Sequence, residues 1–139
     1  MATEPAAPSA GVLRNGACPC LSGEQYAQCC GIFHRGEADA PTAEQLMRSR
    51  YSAFVVLDSG YLLRTWHPDT RPATLELDPE IQWRRLDILG TSRGGPLDTE
   101  GTVEFAAHYS YDGERGVQRE KSRFLRVDRR WYYVDGTVA

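Results

Sequence analysis

The stretch TVEFAAHYSY, residues 102–111, decides how the chain folds. Side chains alternate along an extended strand, so Val103, Phe105, Ala107 and Tyr109 share one face. Thr102, Glu104, Ala106 and His108 take the other. A strand with one apolar face needs a second layer to cover it. Upstream, IQWRRLDILG (81–90) reads as another strand, with Trp83, Leu86 and Ile88 as its buried candidates. Those three break strict alternation, so their spacing predicts a bulge between Trp83 and Leu86. Downstream, Tyr111-Asp112-Gly113-Glu114 forms a turn and Val117 to Val127 a third strand. Asp128-Arg129-Arg130 turns tightly into WYYVDG (131–136), the last strand.

Before this β half the periodicity is helical. Thr42 can cap a helix, with Gln45 three residues later as in a capping box. Leu46, Met47, Tyr51, Phe54, Val55 and Leu57 then recur at spacings of three and four, which predicts an amphipathic helix to about Asp58. Arg48 and Ser52 fall outside that stripe, and Ser59-Gly60 reads as the stop. YLLRTWH (61–67) is a second short helix or turn, ended by Pro68. Helices followed by at least four strands give an α+β domain, helices packed on a curved antiparallel sheet.

The chain has 139 residues, enough for one domain with a real core. Its 16 basic and 19 acidic residues leave a formal charge of -3, which disfavours a globally basic nucleic-acid binder. No apolar run approaches the ~18 residues of a membrane span, so no membrane role is expected. MATEPAAPSA has no basic residue and no apolar segment after it, unlike a secretory leader, and the expected compartment is cytoplasmic. Residues 1–16 read as a flexible N-terminus, 17–34 as a cysteine module, 35–41 as a linker and 42–139 as the larger domain.

All four cysteines, Cys18, Cys20, Cys29 and Cys30, lie within thirteen positions. Disulfides confined there would not staple the larger core, and a reducing cytosol favours thiolates on a metal. Four soft ligands suit Zn²⁺ in a closed tetrahedral structural site. Fe–S ligation, a redox thiol pair or unused buried thiols are the alternatives. Ser22-Gly23 permits a turn, and a short helical turn from Glu24 to Gln28 can return the second pair to the first. His34 is a spare ligand or a packing histidine.

ACPCLSGEQYAQCCG (17–31) resembles the SEC-C motif, a small zinc-binding module also found at the C-terminus of the translocation ATPase SecA. Together with TAEQLMRSRYSAF, YLLRTWHP, VEFAAHY, SRF and WYYVDG, it resembles the YchJ-like (UPF0225) family from Ala17 to Gly136. The resemblance implies Cys18, Cys20, Cys29 and Cys30 as zinc ligands. It also implies an NTF2-like domain, a cone of curved sheet closed on one side by helices and often enclosing a pocket. Leu21 stands where CPCGSG-type motifs carry glycine, which bears on the local turn.

Three functional readings follow. A zinc ion held by four sulfurs has no open position for substrate, so the module reads as the scaffold of a protein-binding adaptor. Its partner surface would use Leu21, Tyr26, Ile32 and Phe33. A second reading is a small-molecule-binding protein or enzyme, with Arg50, Trp66, His67, Glu104 and His108 as pocket candidates. Arg50 lies near the apolar stripe of its helix, where a guanidinium needs carbonyl or carboxylate partners or an anionic ligand. A third reading is nucleic-acid binding through residues 115–133. Seven basic residues there, against three acidic ones from Glu114 to Arg130, precede Trp131, Tyr132 and Tyr133.

Overall fold

The computed structural model describes residues 16–138, so the expected flexible N-terminus lies, except for Gly16, outside the described residues. A 3-10 turn at Tyr26–Gln28 leads into a short helix α1 (Cys30–His34). Helices α2 (Ala43–Val56) and α3 (Ser59–Arg64) follow, and then four strands: β1 (Gln82–Arg93), β2 (Glu100–Tyr111), β3 (Glu114–Val127) and β4 (Arg130–Val138).

Helix α2 starts where capping chemistry requires. Thr42 is extended, and its Oγ1 accepts a hydrogen bond from the Gln45 backbone N–H at 3.1 Å. The Thr42 hydroxyl also donates to Gln45 Oε1, at 3.3 Å, a variant of the reciprocal box. The helix ends at Leu57, a non-glycine residue in the left-handed region at φ 62°. Ser59-Gly60 is therefore not the stop. Those residues open α3, whose first turn is capped by Asp58 accepting from the Tyr61 N–H.

The strands form an antiparallel meander in the order β1-β2-β3-β4. β1 and β4 lie at opposite edges and do not pair, so the expected cone is corrected to an open four-stranded sheet. Four strands are too few to wrap around a side-chain-filled interior. Instead α2 lies across one face, and the α+β class stands. Leu46, Met47, Tyr51 and Ala53 of the helix share a core with Leu86, Val103, Phe105, Ala107, Phe124 and Trp131 of the sheet.

Register explains the broken alternation of the first strand. Trp83 pairs with Tyr109 and Arg85 with His108, so Arg84 is an extra residue. That bulge returns Leu86 and Ile88, opposite Ala107 and Phe105, to the face of Trp83. A second irregularity, between Ile88 and Gly90, leaves Leu89 as another extra residue, and a third sets Phe124 opposite Tyr133. After α3 the chain turns along β4: His67 N–H donates to Tyr133 O at 2.7 Å, and Tyr133 N–H to Thr65 O at 2.8 Å.

Candidate metal centre and adjoining cavity

The cysteine unit is built from two tight turns. Cys18 N–H donates to Glu24 O and Leu21 N–H to Cys18 O, which fold the first pair back on itself. Leu21 takes a left-handed backbone at φ 64°, the conformation glycine adopts freely. The turn that the missing glycine put in question is thus kept. The 3-10 turn and α1 then bring Cys29 and Cys30 beside Cys18 and Cys20.

All four sulfurs lie within 4.8 Å of one another, and Cys20 Sγ is 3.7 Å from Cys29 Sγ. A disulfide would need about 2.05 Å. A tetrahedral ion with Zn–S bonds of ~2.3 Å has sulfur–sulfur edges of ~3.8 Å, so the donor set fits one four-coordinate soft ion. Charge points the same way. Hydrogen bonds from Cys20 and Cys30 pull the Cys18 thiol well below its ordinary range. The reciprocal hydrogen bond to Cys18 pushes Cys20 up to about 11 and, with that to Cys20, drives Cys30 upward as well. One thiolate is accommodated at the expense of the others, and a dication would offset half of the charge of four thiolates and so let all of them ionise.

The unit sits on the back of α2. Ser52 Oγ lies 3.7 Å from Cys18 Sγ, Arg48 Nη1 donates to Cys20 O at 3.1 Å, and the Cys30 thiol is 3.8 Å from Arg48 O. Ser49 and Ser52 are fully buried. The residues outside the sheet-facing stripe are therefore the ones that receive the cysteine unit, and the small serines allow the close approach. His34 is a packing histidine. It spans Tyr26 Oη (2.6 Å) and Ser49 O (2.8 Å), and burial pushes its pKa down and holds it neutral. Burial also pushes Tyr26 up to about 12.

Among the proposed partner-surface residues, Leu21 is 50% exposed, while Tyr26 and Ile32 are half-buried. Phe33 packs on the main core, and Arg64 Nη2 donates to Phe33 O and His34 O, clamping α1 onto α3.

On the opposite side of α2, between helix and sheet, is a cavity of about 260 Å³. Met47, Tyr51, Phe54, Trp83 and Phe105 form its apolar wall; Arg50, Trp66, Gln118, Glu120, Ser122 and Tyr133 supply polar atoms. Arg50 and Trp66 of the pocket candidates meet here, whereas His67, Glu104 and His108 do not line it. Glu104 and His108 have the opposite strand parity from Phe105. His108 Nε2 instead contacts Asp87 Oδ2 at 2.9 Å on the outer face. Despite some desolvation, the hydrogen bonds from His108 and Arg85 hold Asp87 below its usual range. His67 Nδ1 accepts from the Asp69 N–H in the turn after α3.

Gln118, Glu120 and Ser122 were missed because β3 is strongly polar and shows no apolar face of its own. Their signal is cross-strand: they pair with Ala107, Phe105 and Val103, and must share that face. The same parity separates the residues of the basic segment. Arg115, Arg119, Lys121 and Arg123 are exposed, while Trp131 is buried and Tyr133 faces the cavity. Arg123 is further engaged by a two-pronged pair with Asp135 at 2.7 and 2.8 Å.

Residues 42–136 match the family described as YchJ, middle NTF2-like domain, and residues 14–32 match the SEC-C motif. A UPF0225 protein of Streptomyces coelicolor is 59% identical over 119 residues, 86% of this chain and 93% of that protein. The chain belongs to the UPF0225/YchJ family. Another UPF0225 protein, from Corynebacterium glutamicum, is 54% identical over 121 residues, covering 87% of this chain and 96% of the relative. The family fold is also seen in the solution structure of RPA3114, a SEC-C motif containing protein from Rhodopseudomonas palustris. It matches with TM-score 0.76 and 33% identity, covering 88% of this UPF0225 chain and 98% of that one. A crystal structure of a SEC-C motif containing protein from Psychrobacter arcticus matches at TM-score 0.70 and 28% identity, over 88% and 82% of the two chains. No described helix is long and apolar enough to cross a membrane.

Proposed function

We propose that Cys18, Cys20, Cys29 and Cys30 hold one structural Zn²⁺, and that the module so fixed serves a cytoplasmic protein-binding adaptor. The observation that carries this reading is the closed four-sulfur cage anchored rigidly to α2, with Leu21 half-exposed on its outer turn. All four tetrahedral positions are taken by sulfur, so the ion orders backbone rather than activating water. Docking on α2 and α3 uses Phe33 and much of Tyr26, which narrows the recognition surface to Leu21 and the exposed residues after it. The test compares partners captured by the wild type with those captured by a Leu21→Asp variant that retains one equivalent of zinc. Loss of a specific partner supports the adaptor; identical captured sets reject it, as does purified protein lacking any metal.

A second reading, binding of a small molecule, is favoured by the partly open cavity beside the buried Arg50. It is independent of the metal unit, since the two lie on opposite sides of α2.

A further inference from the structure

Arg50 is 3% exposed, and only its Nη1 is used: it donates to Leu62 O at 2.8 Å and to Thr65 Oγ1 at 2.7 Å. Its Nε and Nη2 have no hydrogen-bond partner among the described residues, and no carboxylate lies within ion-pairing reach. The guanidinium carbon lies 4.5 Å from the Tyr133 ring centre and 5.2 Å from that of Trp66. Desolvation lowers its pKa only to about 10, so it remains a cation at neutral pH. Beside it the Trp66 indole Nε1–H is buried without an acceptor among the described residues. An enclosed N–H without an acceptor forfeits the hydrogen bond it makes to water in the unfolded chain.

The carboxylate already in the cavity does not relieve this. Glu120 accepts from Tyr133 Oη (3.1 Å), Ser122 Oγ (3.2 Å) and Gln118 Nε2 (3.3 Å). Its hydrogen bonds thus all go to side chains of the sheet, and it acts on Arg50 only through space. The unmatched groups at the helix side are all donors, and the remaining wall is aromatic and aliphatic.

We propose that this cavity binds a small apolar monocarboxylate, one ring or its aliphatic equivalent in size, with the carboxylate on Arg50 and Trp66 Nε1–H. The proposal rests on the small-molecule reading above and gives it a ligand class. A planar carboxylate suits the free edge of a guanidinium, which can donate two parallel hydrogen bonds. The hydrocarbon part lies against Met47, Phe54, Trp83 and Phe105. At about 260 Å³ the space is below the roughly 300–1,000 Å³ of sites for drug-sized ligands, which restricts the occupant to a compact one.

The test uses the full metal-loaded chain with three probes of similar size: benzoate, toluene and benzylammonium. Benzoate is expected to bind with a Kd of about 1 mM or tighter, and to shift the Trp66 indole N–H resonance. Toluene should bind more weakly and benzylammonium not at all. Trp66→Phe keeps an aromatic face but removes the donor, so benzoate affinity should fall roughly tenfold while toluene affinity does not fall. Should that variant fail to fold, Ala107→Leu, which fills the cavity from the sheet side, must abolish the benzoate-induced shift. Toluene binding as well as benzoate would overturn the carboxylate class while leaving the cavity reading intact. Binding of none of the probes would overturn both. Tighter binding of the ammonium, or benzoate affinity unchanged in the variants, would also overturn the proposal.

Discussion

The two sides of α2 are held by different physics. On the sheet side the core is hydrocarbon: Leu46, Leu62, Val103, Phe105, Phe124 and Trp131 are nearly or wholly enclosed. On the other side the buried cluster consists of Cys18, Cys20 and Cys30, with Tyr26 and Cys29 packed against them. Stability that scales with apolar area is cooperative over many residues and survives one imperfect contact. A unit that would be held by four bonds to one ion has no such reserve. The same helix therefore joins a region with many mutually supporting contacts to one that depends on a single centre.

The largest effect should come from removing the proposed Zn²⁺. A structural Zn²⁺ supplies on the order of 10 kcal/mol to so small a unit. Chelation, or Cys29→Ala, should abolish amide protection across residues 17–34, while strands β1–β4 remain protected in the same hydrogen-exchange experiment. Loss of protection in the strands as well would show that the two regions fold as one.

Phe105→Asp strikes the other side. Phe105 is 5% exposed and faces α2, so the variant loses apolar burial and brings a charge beside the core. A fall in unfolding free energy of about 3 kcal/mol or more is expected, read as a lower denaturant midpoint. An unchanged midpoint would contradict the inward facing of β2.

The smallest effect has the opposite sign. Leu21 holds a left-handed backbone that costs a branched residue about 1–2 kcal/mol relative to glycine. Leu21→Gly should therefore tighten metal retention, measured as slower zinc loss to a competing chelator. Faster loss would mean that the Leu21 side chain itself supports the cage.

How far the sequence reveals these regions depends on how local each signal is. Thr42 marks the start of α2, and the Val103–Phe105–Ala107 alternation marks the inner face of β2, because capping and pleating act over a few residues. The Arg84 bulge was legible because Trp83, Leu86 and Ile88 cannot otherwise share a face. Sheet closure was not legible: local strand patterns do not say whether β1 meets β4. Nor was the seat of the cysteine unit on Ser49 and Ser52, since small polar residues on a helix read equally well as a solvated face. Two pocket candidates, Arg50 and Trp66, reach the cavity, whereas Glu120 and Tyr133 depend on registers set by neighbouring strands and by the irregularity near Phe124.

The open sheet leaves two strand borders, and each is blunted differently. An exposed border is a template on which another chain can add a strand. Along β4 the backbone groups of Tyr133 are already taken by Thr65 and His67, so the segment after α3 occupies part of that template. Along β1 the extra residues Arg84 and Leu89 break the regular spacing of N–H and C=O groups twice within one strand. A fibril-like ladder needs a long uninterrupted run, and neither border offers one. The bulge that gives Trp83 its inward position thus also protects the folded chain against edge-to-edge association at high concentration.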